Sequence, residues 1–186
     1  MNFQEFVKDY RLRNEAKDKL WEMQKAKALH ILNSNGFGGA SLMEGSLSAR
    51  VCFNGKWYDL GVVGKKVVTT AFCELMVDTL VSSEALFSTY KFHQLGTGST
   101  AEAIGNTALV TPVETVTEGT QVEDSSVIYK SIATLAITDT RILREHGIFN
   151  TVTPAGLLDR TMFDIVTLYN GDSYEATYKL TCTAGG

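Results

Sequence analysis

The sequence predicts an α+β, mainly β fold: an antiparallel β-sandwich, Ig-like or jelly-roll-like, that carries a long N-terminal helix. Three observations predict it. Residues 3 to 32 repeat their apolar side chains at helical spacing; from Tyr90 onward short β-type runs are punctuated by turn residues; and no helices alternate with those runs, as a parallel sheet would require. With 186 residues the chain is long enough to bury one good core, or a small domain with an accessory segment.

The helix rests on Phe3, Phe6, Val7, Tyr10, Leu20, Trp21, Ala28, Ile31 and Leu32, with charges between them. Asp9 with Arg13 and Glu15 with Lys19 are i,i+4 pairs in the favourable order, worth about 0.2–0.5 kcal/mol each. "NSNGFGG", residues 33 to 39, is a strong stop, because Gly36, Gly38 and Gly39 have poor helix propensity and tolerate positive φ. The expected division is therefore an amphipathic helical arm and Gly-rich hinge over 1–39, followed by a β-rich domain over 40–186 with one inserted helix near 67–88. Two destinations are open to the arm. The simpler is the protein's own sheet; the other is a groove on a neighbouring subunit, with Phe3, Phe6, Tyr10 and Trp21 as interface anchors.

"ARVCF" and "KWYDLGVV" flank Asn54-Gly55, the pair best suited to a two-residue type I′ hairpin, and strand alternation sends one of Trp57 and Tyr58 to the core. Val67, Ala71, Leu75, Leu80 and Leu86 give the inserted helix its apolar side. Residues 111 to 126, rich in Thr, Val, Glu and Gly, read as a long surface loop or edge strand. Residues 127–137 and 141–149 are expected to pair around "TDT". "RTMFDIVTLY" and "YEATYKLTCT" are expected to pair around Asn170-Gly171-Asp172, with Tyr174, Ala176, Tyr178, Leu180 and Cys182 on the buried face of the last strand.

A net charge of −4 and a pI near 5.4 give no general attraction to nucleic acid, and no apolar run is long enough for a membrane helix. The charged N-terminus lacks a signal-peptide core, so folding is expected to begin in a cytoplasm. Cys52, Cys73 and Cys182 show no C-x-x-C and read as reduced; His30, His93 and His146 are scattered, so no metal or other cofactor is expected. Gly96, Gly98 and Ala101 match G-x-G-x-x-[GA], yet Gly105, Asn106 and Pro112 leave no room for the helix that a dinucleotide site needs. Gly96, Thr97 and Gly98, with Ser99 and Thr100, fit a tight turn or a closely docked neighbour instead. Glu145, His146 and Asp159 invite comparison with a catalytic triad around Ser99 or Cys182. Adjacent strand residues face opposite ways, however, and Glu145, His146, Asp159 and Arg160 are read as a structural ion network, with Gly147 marking a bulge or close backbone approach.

"GTGSTAEAIGNTALVT" (96–111), "EHGIF" (145–149), "LLDRTMFDIVTLYNGDS" (157–173) and "YKLTCTAGG" (178–186), in that order, resemble a recurrent β-domain of tailed-bacteriophage virion structural proteins. The resemblance covers about residues 67–186 and departs from the pattern at Asn106, where Asp is usual. It implies a non-enzymatic particle component: a capsid decoration (cement) protein that stabilises the shell, with a neck or tail adaptor or a tail-fibre-associated protein as alternatives; the alternatives from other classes are a glycan-binding module, for which Trp57 and Tyr58 could supply an aromatic patch, and a small hydrolase. The implied partners are other copies of the chain, as a homotrimer, and virion proteins such as the major capsid protein, with no nucleic acid and no membrane. The implied location is the virion, after synthesis in the host cytoplasm.

Overall fold

The first turn of the N-terminal helix is fixed by its own side chains. In the computed structural model, which describes residues 2–35, 42–81, 86–154 and 156–183, Asn2 Oδ1 accepts the Glu5 N–H at 2.9 Å and Glu5 Oε2 accepts the Asn2 N–H at 3.1 Å. This reciprocal capping box satisfies donors that every helix start leaves free. The helix, α1 (Phe3–Ser34), then runs alongside the sheets, and the expected Gly-rich hinge at 36–39 lies outside the described residues.

Among the described residues nine strands follow: β1 (Leu42–Phe53), β2 (Lys56–Val67), β3 (Phe92–Gly96), β4 (Pro112–Glu118), β5 (Thr120–Ser125), β6 (Ile128–Ala136), β7 (Arg141–Phe149), β8 (Leu157–Leu168) and β9 (Ser173–Thr183). They form two antiparallel sheets, ordered β2-β1-β9-β6-β5 and β4-β3-β7-β8, that pack as a sandwich. The predicted fold class is the one observed. Residues 111–126 hold β4 and β5, which are edge strands of different sheets, the chain crossing between them at Gly119.

The β1–β2 turn behaves as expected: Asn54 and Gly55 both have positive φ, 50° and 74°, as a type I′ turn demands. Trp57 is exposed and Tyr58 packs inward. The later pairings differ from expectation. β6 and β7 lie in different sheets, as do β8 and β9; the hairpins are β5–β6 and β7–β8. "TDT" and Asn170-Gly171-Asp172 are corners that carry the chain from one sheet to the other. The corners brace each other, the Ile137 N–H bonding to the Asp172 carbonyl and the Gly171 N–H to the Ile137 carbonyl. Turn chemistry specifies a reversal of direction, and a reversal suits a hairpin and a corner equally.

The inserted helix is shorter than predicted. α2 (Thr70–Val81) is capped by Thr69, whose Oγ accepts the Phe72 N–H and donates to the Leu157 carbonyl at 2.7 Å. Phe72 is buried against Tyr90, Ile148, Leu158 and Tyr178, whereas Leu80, assigned to the apolar side, is 85% exposed. A short 3-10 helix covers Leu86–Thr89, and residues 82–85 of the expected helix lie outside the described residues.

The main core lies between the sheets, built from Leu47, Val51, Leu60, Leu95, Leu135, Leu143, Val166, Leu168 and Tyr174, among others. Tyr10 of α1 belongs to it, fully buried, its hydroxyl donating to the Asp164 carbonyl at 2.9 Å. Farther along, Trp21 Nε1 and Lys25 Nζ both donate to Glu44 of β1, and Lys65 of β2 bridges Asp18 and Glu22. Apart from Lys25–Glu22 at 4.0 Å within the helix, the ion pairs of α1 run to the sheets. Neither Asp9–Arg13 nor Glu15–Lys19 is among the ion pairs within 4.0 Å in the described residues. Alternation on β9 holds for Tyr174, Ala176, Tyr178 and Leu180, but Cys182, at the fraying end, is exposed.

Candidate functional site

The residues singled out from the sequence converge on β7 and β8 and the loop from Gly96 to Thr111. Glu145 of β7 is wholly buried and fills the loop from inside. Its Oε1 accepts the N–H groups of Gly98 (3.0 Å) and Thr111 (2.8 Å), and its Oε2 accepts those of Val110 (3.1 Å) and Arg160 Nε (2.7 Å). A methyl group on Gly96 or Gly98 would overlap this carboxylate, which is why glycines stand there. The loop therefore does cradle an anion, and the anion is the protein's own. Gly96 and Gly98, expected against a docked neighbour, are buried against Glu145.

Arg160 of β8, 2% exposed, closes the arrangement. Besides Glu145 it donates to the carbonyls of Thr100 (2.9 Å) and Ala101 (3.3 Å) and to Asn106 Oδ1 (3.3 Å). Burial alone would raise the Glu145 pKa. The Thr111 N–H, the Arg160 guanidinium and the other two amides outweigh it and hold the carboxyl below the usual range.

His146 points the other way, into the sandwich. Its Nε2 lies 2.9 Å from Nδ1 of His93 on β3, whose Nε2 lies 2.8 Å from Ser131 Oγ on β6 of the opposite sheet. His93 and His146 are diagonal cross-strand neighbours on one face, and all three residues are buried. Desolvation drives the His93 pKa down to about 3 and that of His146 well below its ordinary value, with His93 adding repulsion. The serine–imidazole contact has the form of a nucleophile and base, but solvent does not reach Ser131, and the third member is an imidazole where a triad has a carboxylate. The Ser99 and Cys182 considered as nucleophiles are exposed and take no part.

Asp159, grouped with Glu145, His146 and Arg160 by sequence, sits apart from them. It is 2% exposed beside Tyr178 and Gly45, and neither its Oδ2 nor the Tyr178 hydroxyl makes a hydrogen bond of standard geometry. Desolvation raises its pKa to about 7. The expected network is thus three separate devices: a Glu145–Arg160 latch, a His93–His146–Ser131 chain and an Asp159–Tyr178 contact. Gly147 is a close-approach glycine, since a methyl there would meet Phe149 and Leu109.

The interface set on α1 is also accounted for internally. Phe3 stacks on Phe53 at 4.2 Å between centroids and meets Tyr58 edge-on, Phe6 packs on the core, and Tyr10 and Trp21 are held as described. Beside them a groove of about 740 Å³ is lined by Phe3, Phe6, Phe53, Ile165 and Tyr169, with Asn2, Arg13 and Asp164 at its polar points.

Sequence reasoning missed His93, Ser131, Asn106 and Tyr178 as polar partners. A signal existed for His93: in "FHQLG" it shares the Leu95 phase, so alternation places an imidazole on the buried face. No cluster of three or more His, Cys, Asp or Glu suited to a metal occurs among the described residues, and no described helix is long and apolar enough to cross a membrane. No protein-family model, curated protein or solved structure matches the chain.

Proposed function

We propose that this chain is a non-enzymatic structural component of a tailed-phage virion, a capsid decoration protein that stabilises the shell as a homotrimer bound to the major capsid protein. The observation that carries the reading is the fate of the resembling blocks. "GTGSTA", "EHG" and "LLDR" meet in the Glu145–Arg160 latch and are consumed in internal bonds. Motifs spent on rigidity suit a particle component that must hold its shape under load. Asn106 fits as well: the position needs an oxygen acceptor for Arg160 and for the Ala103 N–H, which an amide supplies without charge.

Mass spectrometry of purified particles followed by cryo-electron microscopy tests the reading. Density repeated over the hexamer lattice supports decoration; density at the portal vertex alone replaces it with the neck or tail adaptor; absence from particles refutes both. One observation favours the glycan-binding alternative, the aromatic groove beside Phe3 and Tyr169. Specific retention on a glycan array, lost in Tyr169→Ala, would establish it.

A further inference from the structure

A buried carboxyl and an ion pair share one small cavity beside the Glu145–Arg160 latch. The cavity, about 90 Å³, lies between Lys66 of β2, Asp159 of β8 and the loop at Glu102, Ala103 and Ile104. At roughly 30 Å³ per water it has room for about three waters, or for an ammonium group that swings inward. Asp159 keeps its Oδ2 without a hydrogen-bond partner, and it forms no ion pair within 4.0 Å among the described residues. Lys66 is held instead by Glu102 Oε1, while Glu102 Oε2 accepts the Met162 N–H at 3.1 Å. Glu102 thus ties its loop to β2 and β8 at once.

Lys66 starts close to the carboxyl it does not touch. It is the direct cross-strand partner of Gly45, and Asp159 Oδ2 with the Tyr178 hydroxyl fills the space that a side chain on Gly45 would take. Paired residues of an antiparallel sheet send their side chains to the same face, with Cβ positions about 4.5–5.5 Å apart. Rotation of the flexible Lys66 stem is therefore enough to turn its ammonium from Glu102 towards Asp159. The groups that set the Asp159 charge are Tyr178 of β9, Lys66, Glu102 and Arg160, with β1 presenting Gly45. Tyr178 stays neutral, because burial raises its pKa well above the ordinary value. Arg160 is fixed by Glu145 and the loop carbonyls. Desolvation keeps the proton on Asp159 up to about pH 7. Above that it is a buried anion, which needs a cation, and Lys66 is the cation on the cavity wall with freedom to move.

We infer that Asp159 and Glu102 are alternative seats for the Lys66 ammonium: with Asp159 protonated Lys66 holds Glu102, and with Asp159 ionised it turns inward and leaves Glu102 with the Met162 N–H. The loop at Glu102 to Ile104 loosens as pH rises. Because the Ile104 carbonyl accepts the Thr70 N–H at 3.0 Å, the change reaches the start of α2. The inference stands on this cavity and does not rest on the virion reading.

Nitrogen-15 NMR of the full chain from about pH 5.5 to about pH 8.5 tests it. The Met162 and Thr70 amides should shift together with one midpoint near 7. Asp159→Asn should fix both at their low-pH positions. In Lys66→Met the Asp159 carboxyl should titrate at a midpoint raised by at least about half a unit, and the Met162 amide should no longer follow it. Glu102→Gln keeps an acceptor for Met162 and leaves Lys66 to Asp159, so the midpoint should fall by at least about one unit. Amides that stay flat across this range, a Met162 shift equally large in Lys66→Met, or a midpoint unmoved in both Lys66→Met and Glu102→Gln would each overturn the inference.

Discussion

Replacing Glu145 by Gln changes one atom and should be among the most destabilising conservative substitutions in the molecule. The carboxylate accepts four hydrogen bonds, two at each oxygen, from Gly98, Thr111, Val110 and Arg160. An amide keeps one oxygen and presents a donor where the other stood, so two of the four donors lose their acceptor. Whichever way the amide turns, Arg160 is left a buried cation without a counter-charge, held by the Thr100 and Ala101 carbonyls, Asn106 and the Met162 sulfur. Removing one partner of a buried ion pair costs about 3–5 kcal/mol, and an orphaned buried N–H about 1–3 kcal/mol, part of which is already in the first figure. The expected loss is therefore roughly 3–5 kcal/mol, a large share of the ~5–15 kcal/mol that holds a typical domain folded. Urea titration should show a lowered midpoint with an unchanged slope. Hydrogen exchange should show the Gly98, Val110 and Thr111 amides opening far faster than the strand interiors. The combination of Glu145→Leu with Arg160→Met should cost less than the sum of its parts by at least about 1 kcal/mol, because it leaves no unpaired charge. A Glu145→Gln loss below about 1 kcal/mol, or strictly additive single changes, would refute the latch.

Stability should fall on acidification from pH 6.5 to about 4.5, because unfolded histidines take up protons that His93, held at about 3, and His146, also held well below its ordinary value by burial, refuse in the fold. Asp159, raised to about 7, opposes this, since over the same window it is protonated only in the folded state and loses that advantage as pH rises. Two imidazoles against one carboxyl leave a net loss of about 1.4 kcal/mol per pH unit, which Asp159→Asn should roughly double; a profile flat over this window would contradict the assignment. Tyr178→Ala should cost about 3–5 kcal/mol in a thermal or urea melt, while Lys179→Ala, which loses an exposed bridge to Asp124, should cost under about 1 kcal/mol; equal effects would mean that β9 faces the other way. Deleting residues 1–35 removes Tyr10 from the core and uncovers Phe53 and Tyr58, so the fragment should be insoluble or melt without cooperativity; a soluble, cooperatively melting fragment would make the helix a separable arm.

The fold class was legible because it rests on periodicity: the 3.6-residue repeat of α1, the Asn54-Gly55 hairpin and the alternation of β9 each depend on a few neighbouring residues. Sheet membership was not, because "TDT" and Asn170-Gly171-Asp172 hold no record of which strand lies beyond the turn. Glu145 and Arg160 could be named together, since charged residues in an apolar strand demand a partner. Their true complement is a set of backbone amides and carbonyls in the 96–111 loop, which carry no side-chain signature. On α1, Leu20 and Ile31 join the helical repeat with Trp21, yet they face solvent while Trp21 reaches Glu44. A helix with two apolar stripes yields one blurred pattern until a sheet chooses between them.

The strand order also constrains the history of each molecule. β9 lies between β1 and β6 in its sheet, although among the described strands it is the last to be synthesised. Until it arrives, β1–β2 and β5–β6 are two unconnected ribbons with unpaired inner edges, and Tyr174, Ala176 and Tyr178 are missing from the interior they complete. Pairings this distant close slowly and leave sticky edges exposed meanwhile. A nascent chain truncated before Ser173 should therefore depend on chaperones, and the native state should assemble in one late step when the final strand slots into the gap.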